Sequence, residues 1–201
     1  MATLRSRAIA LALAMTLAGT ALADPLDAAT AAFNRGDYAG AARLLQPLAE
    51  AGNHAAQYNL ALMYRDGQGI PRDSAAAQKW FTKSAEQGDA DAQNDLAAMY
   101  QEGNGVPQNL PEAVKWYRQA AEHGNAGAQF NLGYMYGRGE GTPPNFIESY
   151  RWFALAAQAM AATDSPNRDK AERNRDVLAE RLTPEQLATA MKLVREWKPA
   201  P

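Results

Sequence analysis

A block of 36 residues recurs three times without a gap, and that recurrence restricts what the chain can fold into more than any single residue does. Residues 54–89, 90–125 and 126–161 align so that Gln57, Gln93 and Gln129 coincide. So do Leu60, Leu96 and Leu132, Met63, Met99 and Met135, and Tyr64, Tyr100 and Tyr136. Gly67-x-Gly69 recurs as Gly103-x-Gly105 and Gly139-x-Gly141, followed by Pro71, Pro107 and Pro143. Three of the four tryptophans, Trp80, Trp116 and Trp152, share one register. A unit of this length cannot bury its own apolar face, so neighbouring units must stack and complete one another's core.

Each unit reads as helix, loop, helix. Ala56, Leu60, Met63 and Tyr64 fall at i, i+4, i+7 and i+8, one face of a helical period. Gly67 is placed to end that helix in a left-handed cap, and Gly69 with Pro71 shapes a loop. Asp73, Asn109 and Asn145 stand in register as N-caps of the second helix. Ala77, Trp80, Phe81, Ser84 and Ala85 form its buried stripe, small residues alternating with aromatic ones. The equal spacing also predicts a core place for Trp116. Gly88 and Gly124 end the second helix in two units, but Met160 stands in the third, which predicts a longer helix there.

A shorter hairpin precedes the repeats. Its first helix covers about Leu26–Arg35, Gly36-Asp37 makes the turn, and Ala41 and Gly52 stand 36 residues before Ala77 and Gly88. After the repeats, residues 166–181 read as a helix with Ala171, Val177 and Leu178 on one side and Ser165 as its N-cap. Thr183-Pro184-Glu185-Gln186 is a strong helix start, and Pro199 and Pro201 forbid continuation beyond about Trp197. This pair suits the capping that an array's last unit needs.

The pattern A-x-x-x-L-x-x-M-Y-x-x-G-x-G-[VI]-P…A-x-x-W-[FY]-x-x-[SA]-A-x-x-G resembles the Sel1-like repeat family, with matching positions from Gln57 to Gly124 and from Gln129 to Ala157. The leading hairpin resembles a tetratricopeptide hairpin, and the ending is similar to that of many exported bacterial members. The resemblance implies an all-α fold, an α-solenoid of stacked helix-loop-helix repeats with a C-terminal helical cap. The expected division is a signal peptide at 1–23, an N-terminal hairpin at 24–53, repeats at 54–89, 90–125 and 126–161, and capping helices at 162–201.

The signal-peptide expectation comes from the residues themselves. Arg5 and Arg7 precede an apolar run from Ala8 to about Leu17, and Ala21-Leu22-Ala23 is a small-x-small cleavage pattern. The run is shorter than the roughly 18–20 residues that span a bilayer, and no later stretch is long enough. Export to the periplasm of a bacterium, with secretion as the other destination, is the expected location. The formal charge of −2 argues against a nucleic-acid partner, and the absence of cysteine excludes disulfides, thiolate nucleophiles and Cys-ligated zinc.

Catalytic patterns are lacking. His54 and His123 are 69 residues apart and read as helix-terminal residues. Ser74, Ser84, Ser149 and Ser165 carry no Lys at the third following position, so the S-x-x-K signature is missing. Some cysteine-rich relatives are described as penicillin-binding or weakly β-lactamase-like; this chain departs from them in having no cysteine. The G-x-G elements follow helices, and no Lys-Ser or Lys-Thr comes after, so they are loop glycines. No cofactor, metal or catalytic residue is therefore expected.

Surface remains. The family's first helices line the concave side of the solenoid, and there the framework stays constant while neighbouring columns vary. One column holds Tyr58, Asn94 and Phe130; the next Leu62, Ala98 and Tyr134; a third Arg65, Gln101 and Gly137, with Arg138 beside it. Phe130 and Tyr134 share a helix face and with Arg138 are a candidate hot spot; the other reading has these aromatics packing on a neighbouring helix. The expected function is a non-enzymatic scaffold or adaptor of the bacterial cell envelope, binding a protein or peptide through Tyr58, Leu62, Arg65, Asn94, Gln101, Phe130, Tyr134 and Arg138. The alternative is a binder of cell-wall fragments or β-lactams with at most weak hydrolase activity.

Overall fold

The computed structural model describes residues 25–160 and 165–200. The expected signal peptide lies outside them. Among the described residues there are ten helices and no strands. They are α1 (Pro25–Asn34), α2 (Tyr38–Glu50), α3 (His54–Asp66), α4 (Ser74–Ala85), α5 (Ala90–Glu102), α6 (Leu110–Glu122), α7 (Ala126–Arg138), α8 (Phe146–Ala159), α9 (Ser165–Arg181) and α10 (Pro184–Glu196). From α1 to α9 each helix packs chiefly on its chain neighbours. That is the nearest-neighbour arrangement of a solenoid.

The local signals act as the spacing predicts. Gly67, Gly103 and Gly139 end α3, α5 and α7 in the left-handed region, and Asp73, Asn109 and Asn145 accept N-cap hydrogen bonds at the starts of α4, α6 and α8. Each N-cap backbone N–H also donates back across the loop, to the carbonyls of Tyr64, Tyr100 and Tyr136 at 2.9, 2.8 and 2.9 Å. The loop is thereby held at a constant width. Thr183 and Gln186 form a full capping box on α10.

Two framework residues join one unit to the next. The side-chain amides of Gln57, Gln93 and Gln129 donate to the carbonyls of Ala49, Ala85 and Ala121 at 3.0, 3.0 and 3.2 Å. Those carbonyls lie in the last turn of the preceding helix, where no intrahelical donor remains. The second glycine of each G-x-G sits against the start of the preceding unit's second helix. A Cβ on Gly69, Gly105 or Gly141 would come within 2.3, 2.5 or 2.4 Å of Tyr38, Ser74 or Leu110, and each of these glycines has a positive φ. Only glycine permits both the turn and the close stacking of consecutive units.

The core follows the repeat. Leu60, Leu96 and Leu132 are buried with Met63, Met99 and Met135, and all of Ala77, Trp80, Phe81, Ser84 and Ala85 are buried on α4. Some expectations need correction. Trp116 is only partly buried, bridging the first two core clusters rather than sitting inside one. Val177 is 52 % exposed while Ala171 and Leu178 pack inward, because a 17-residue helix lying on α8 turns its 177 position outward. The third unit's second helix is the longer one, though only slightly: α8 ends at Ala159, one or two register positions beyond α6 and α4. Ser165 falls inside α9 as its first residue rather than before it.

The ending departs from the repeat. Both α9 and α10 dock on α8. The tail of α10 reaches back so that Val194 and Trp197 pack on the middle core cluster, and Ala200 N–H donates to the Glu122 carbonyl at 2.8 Å. Beneath this cap Ala154 and Leu155 are buried, whereas their counterparts are Thr82 and Lys83 on α4 and Arg118 and Gln119 on α6.

Candidate functional site

The first helices α3, α5 and α7 carry every column residue named from the sequence, and the structure sorts them into separate groups. At the α3–α5 seam Tyr58, Arg65 and Asn94 converge on Asp95. The Tyr58 hydroxyl donates to Asp95 Oδ2 at 3.4 Å, Arg65 Nη1 donates to the same oxygen at 3.2 Å, and Asn94 Nδ2 donates to Oδ1 at 3.3 Å. Arg65 Nε also pairs with Asp66 at 2.8 Å, so one guanidinium serves two carboxylates. The Tyr58 ring lies 5.8 Å from that of Phe81. Burial pushes the Asp95 carboxyl above the usual carboxylate range, and Arg65, Tyr58 and Asn94 pull it part of the way back. The Tyr58 hydroxyl is likewise raised, first by burial and then by the Asp95 and Asp91 charges.

Gln101 lies within the second hairpin, where its Oε1 accepts from the Tyr117 hydroxyl of α6 at 2.9 Å. On α7, Phe130 is partly buried and meets Phe153 edge-on at 5.4 Å, so for Phe130 packing on a neighbouring helix is what the structure shows. Tyr134 is 39 % exposed, 5.7 Å from Phe130 and 5.9 Å from Phe153. Arg138 stacks over the Tyr134 ring at 4.8 Å and reaches Glu140 at 3.6 Å. Room for this comes from glycines. A Cβ on Gly133 would meet the Phe153 ring at 3.1 Å, and one on Gly137 would meet Ser149 Oγ at 2.9 Å. Tyr134, Arg138, Asn174 and Val177 border a cleft between α7 and α9. Leu62 stands apart from both groups, in a cavity between α1 and α3.

Three residues escaped the column reading. Asp95, the acceptor at the centre of the seam, stands in register with Asn59 and Asn131, and that Asn/Asp column was the available signal. Phe33 and Val177 belong to α1 and α9, outside the 36-residue alignment, and Val177 is legible there only as part of an apolar helix side.

The chemistry of nucleophiles finds no support among the described side chains. Ser84 Oγ lies 3.0 Å from Asp89 Oδ2 and 2.9 Å from the His54 carbonyl, while His54 Nδ1 is 3.3 Å from the same Asp89 oxygen. The carboxylate sits between hydroxyl and imidazole, so the imidazole cannot take the serine proton as a triad requires. Ser149 Oγ donates to the Gly133 carbonyl at 2.7 Å and Ser74 Oγ to Asn104 at 3.2 Å. His123 is a partner of the framework, 3.2 Å from Gln93 Oε1. Among the described residues no group of three or more His, Asp or Glu could hold a metal, and no helix is long and apolar enough to cross a membrane.

Stacked hairpins joined by a constant framework define a helical-repeat protein. The family model described as Sel1 repeat matches residues 54–89, 90–125 and 126–159, more than half of the chain, and the chain belongs to that family. It is similar to the crystal structure of a Sel1 repeat protein from Oxalobacter formigenes, with 29 % identity and a TM-score of 0.71 over 87 % of this chain and 68 % of that one. It is also similar to a protective antigen present in uropathogenic Escherichia coli strains displaying an SLR fold. The identity there is 29 %, over 79 % of this chain and 40 % of that one, with a TM-score of 0.45. No curated protein matches. Sel1 repeats are generally protein-interaction modules on a non-enzymatic scaffold, and no catalytic family is indicated.

Proposed function

We propose that the chain is a non-enzymatic adaptor of the bacterial cell envelope that binds a protein or peptide segment along the row of first helices. One observation carries the reading. The constant residues are used up in building the array, since Gln57, Gln93 and Gln129 close helix ends and the paired glycines set the stacking. Of the residues that change from unit to unit, Tyr134 and Arg138 are left exposed on the row of first helices, while the others named are half-buried. A fixed frame with a changing face is what recognition on a solenoid uses. Export rests on the sequence of residues 1–23.

The test is crosslinking capture from envelope fractions with the tagged chain beside a Tyr134→Ala/Arg138→Ala variant. A protein held by the parent and lost with the variant supports the adaptor and its site. Capture unaffected by the variant moves the site elsewhere, and an empty capture counts against the adaptor. Amino-terminal sequencing of the exported protein should begin at Asp24.

A further inference from the structure

The α1–α3 seam is open where the α3–α5 seam is filled. A cavity of about 300 Å³ lies there, walled by Phe33, Leu45, Leu62 and Met63, with Asn59 and Asp66 at its rim. The cause is a change of side chains. Counted from their last residues, Asn34 and Asp66, α1 carries Phe33 where α3 carries Arg65, and Leu26 where α3 carries Tyr58. At the next seam Tyr58 and Arg65 reach across to Asp95 and fill the space. At the α1–α3 seam Asn59 stands in the place of Asp95 and borders the cavity instead. Phe33 is 37 % exposed, with its ring edge-on to Tyr38 at 4.9 Å.

On α5, which packs beyond α3 from this cavity, the charge is one-sided. The 13 residues of α5 contain Asp91, Asp95 and Glu102 and no base. The α3 base that faces them, Arg65, is already shared between Asp66 and Asp95, and Arg72 from the following loop lowers the Asp66 carboxyl further. Asp91 and Asp95 both raise the Tyr58 hydroxyl, so their field extends over this face. The second helices α4 and α6 show the opposite balance, with Lys79, Lys83, Lys115 and Arg118 against Glu112 and Glu122. On α7 the one charged residue, Arg138, is paired with Glu140, so the acidic stretch is confined to α5.

We infer that the α1–α3 cavity and the acidic flank of α5 form one docking surface for a basic peptide segment of a protein partner. A bulky apolar side chain of that segment enters the cavity, and its Lys or Arg residues lie toward Asp91 and Glu102. The inference rests on the binding reading above and gives it a partner chemistry. The acidic face of α5 complements the basic part of the segment and holds it there.

The test is fluorescence anisotropy with three labelled synthetic peptides of equal length: one of alternating Lys and Leu, one with Glu replacing Lys, and one with Ser replacing Leu. The Lys–Leu peptide is expected to bind at least about tenfold more tightly than either of the others, and more weakly as salt rises. Phe33→Lys and Leu62→Arg should each weaken it about tenfold, as should Asp91→Lys/Glu102→Lys. The charge-matched control Glu112→Lys/Glu122→Lys on α6 should change it less than about twofold. Phe33 and Glu102 are exposed, so those variants keep the test valid if Leu62→Arg unfolds, which far-UV circular dichroism reports. An equal loss in the α6 control overturns the inference as general charge attraction, and so does indifference to Phe33→Lys. Preference for the Glu–Leu peptide, abolished by Tyr134→Ala/Arg138→Ala, overturns it while the adaptor reading stands. Binding of no peptide, together with an empty envelope capture, removes both.

Discussion

The second and third repeats share one framework and live in different surroundings. In the second, Arg118 and Gln119 face outward on α6; in the third, Ala154 and Leu155 occupy those positions and are buried beneath α10. Trp116 is partly buried, and Trp152 is 2 % exposed. Gln93 Oε1 meets His123, whereas Gln129 Oε1 is buried with no hydrogen-bond partner because Ala159 stands where Gln87 and His123 stand in the earlier units. The framework sets the hairpin, and the other positions answer to whatever lies on top of it. A repeat's stability is therefore partly the property of its neighbour.

The largest effect should separate the two tryptophans. Trp152→Ala is expected to cost about 3–5 kcal/mol in urea unfolding, as for a core aromatic, and Trp116→Ala roughly half as much. Equal losses would break the comparison. Next comes Leu155→Lys, which places an unpaired charge under α10 and should cost about 3 kcal/mol or less, with faster amide exchange across residues 184–196. The matching Gln119→Lys on α6 should be neutral within about 0.5 kcal/mol. If α10 stays protected in the Leu155 variant, burial there does not hold the cap.

A gain is expected from Ala159→Gln, which offers the missing donor to Gln129 as Gln87 does to Gln57 at 2.7 Å. Its stabilisation should be about 0.5–1.5 kcal/mol, and a loss would show that the last turn of α8 cannot carry the longer side chain. The smallest effect concerns Asp95→Asn, which gives the second repeat the residue that the third has at 131. Burial raises the Asp95 carboxyl in the folded chain, so the folded state favours its protonated form. The stability from this group is full below the ordinary value of 3.8 and is lost as pH rises through the raised one. Thermal melts should therefore show the variant gaining on the parent between about pH 4 and pH 7. A parent that gains on the variant over that interval would show that Arg65 outweighs burial.

Most of the helical framework was legible because its determinants are local. A glycine in the left-handed region, an Asn or Asp N-cap and an apolar period each act within a few residues of chain, and a threefold recurrence makes them hard to miss. The Gln column was visible as a coincidence without a role, since its partner is a carbonyl eight residues back that only the folded hairpin brings near. The candidate site was legible as a face and not as an arrangement. Tyr58, Arg65 and Asn94 stood in separate columns, and nothing in one sequence shows that Asp95 draws them together. The sequence pairs Phe130 with Tyr134 on one face, yet the two differ in burial, Phe130 packing on the last core cluster while Tyr134 stays exposed.

The sequence by itself determined the hairpin, its period and the need to stack, since helix propensity, capping and apolar spacing are short-range terms repeated in register. The tertiary structure alone decided how closely units approach at Gly69, Gly105 and Gly141, which tryptophan is covered, where α10 docks, and that space is left at the α1–α3 seam. Those outcomes depend on contacts between residues far apart in the chain, and no local pattern encodes the space left between two helices.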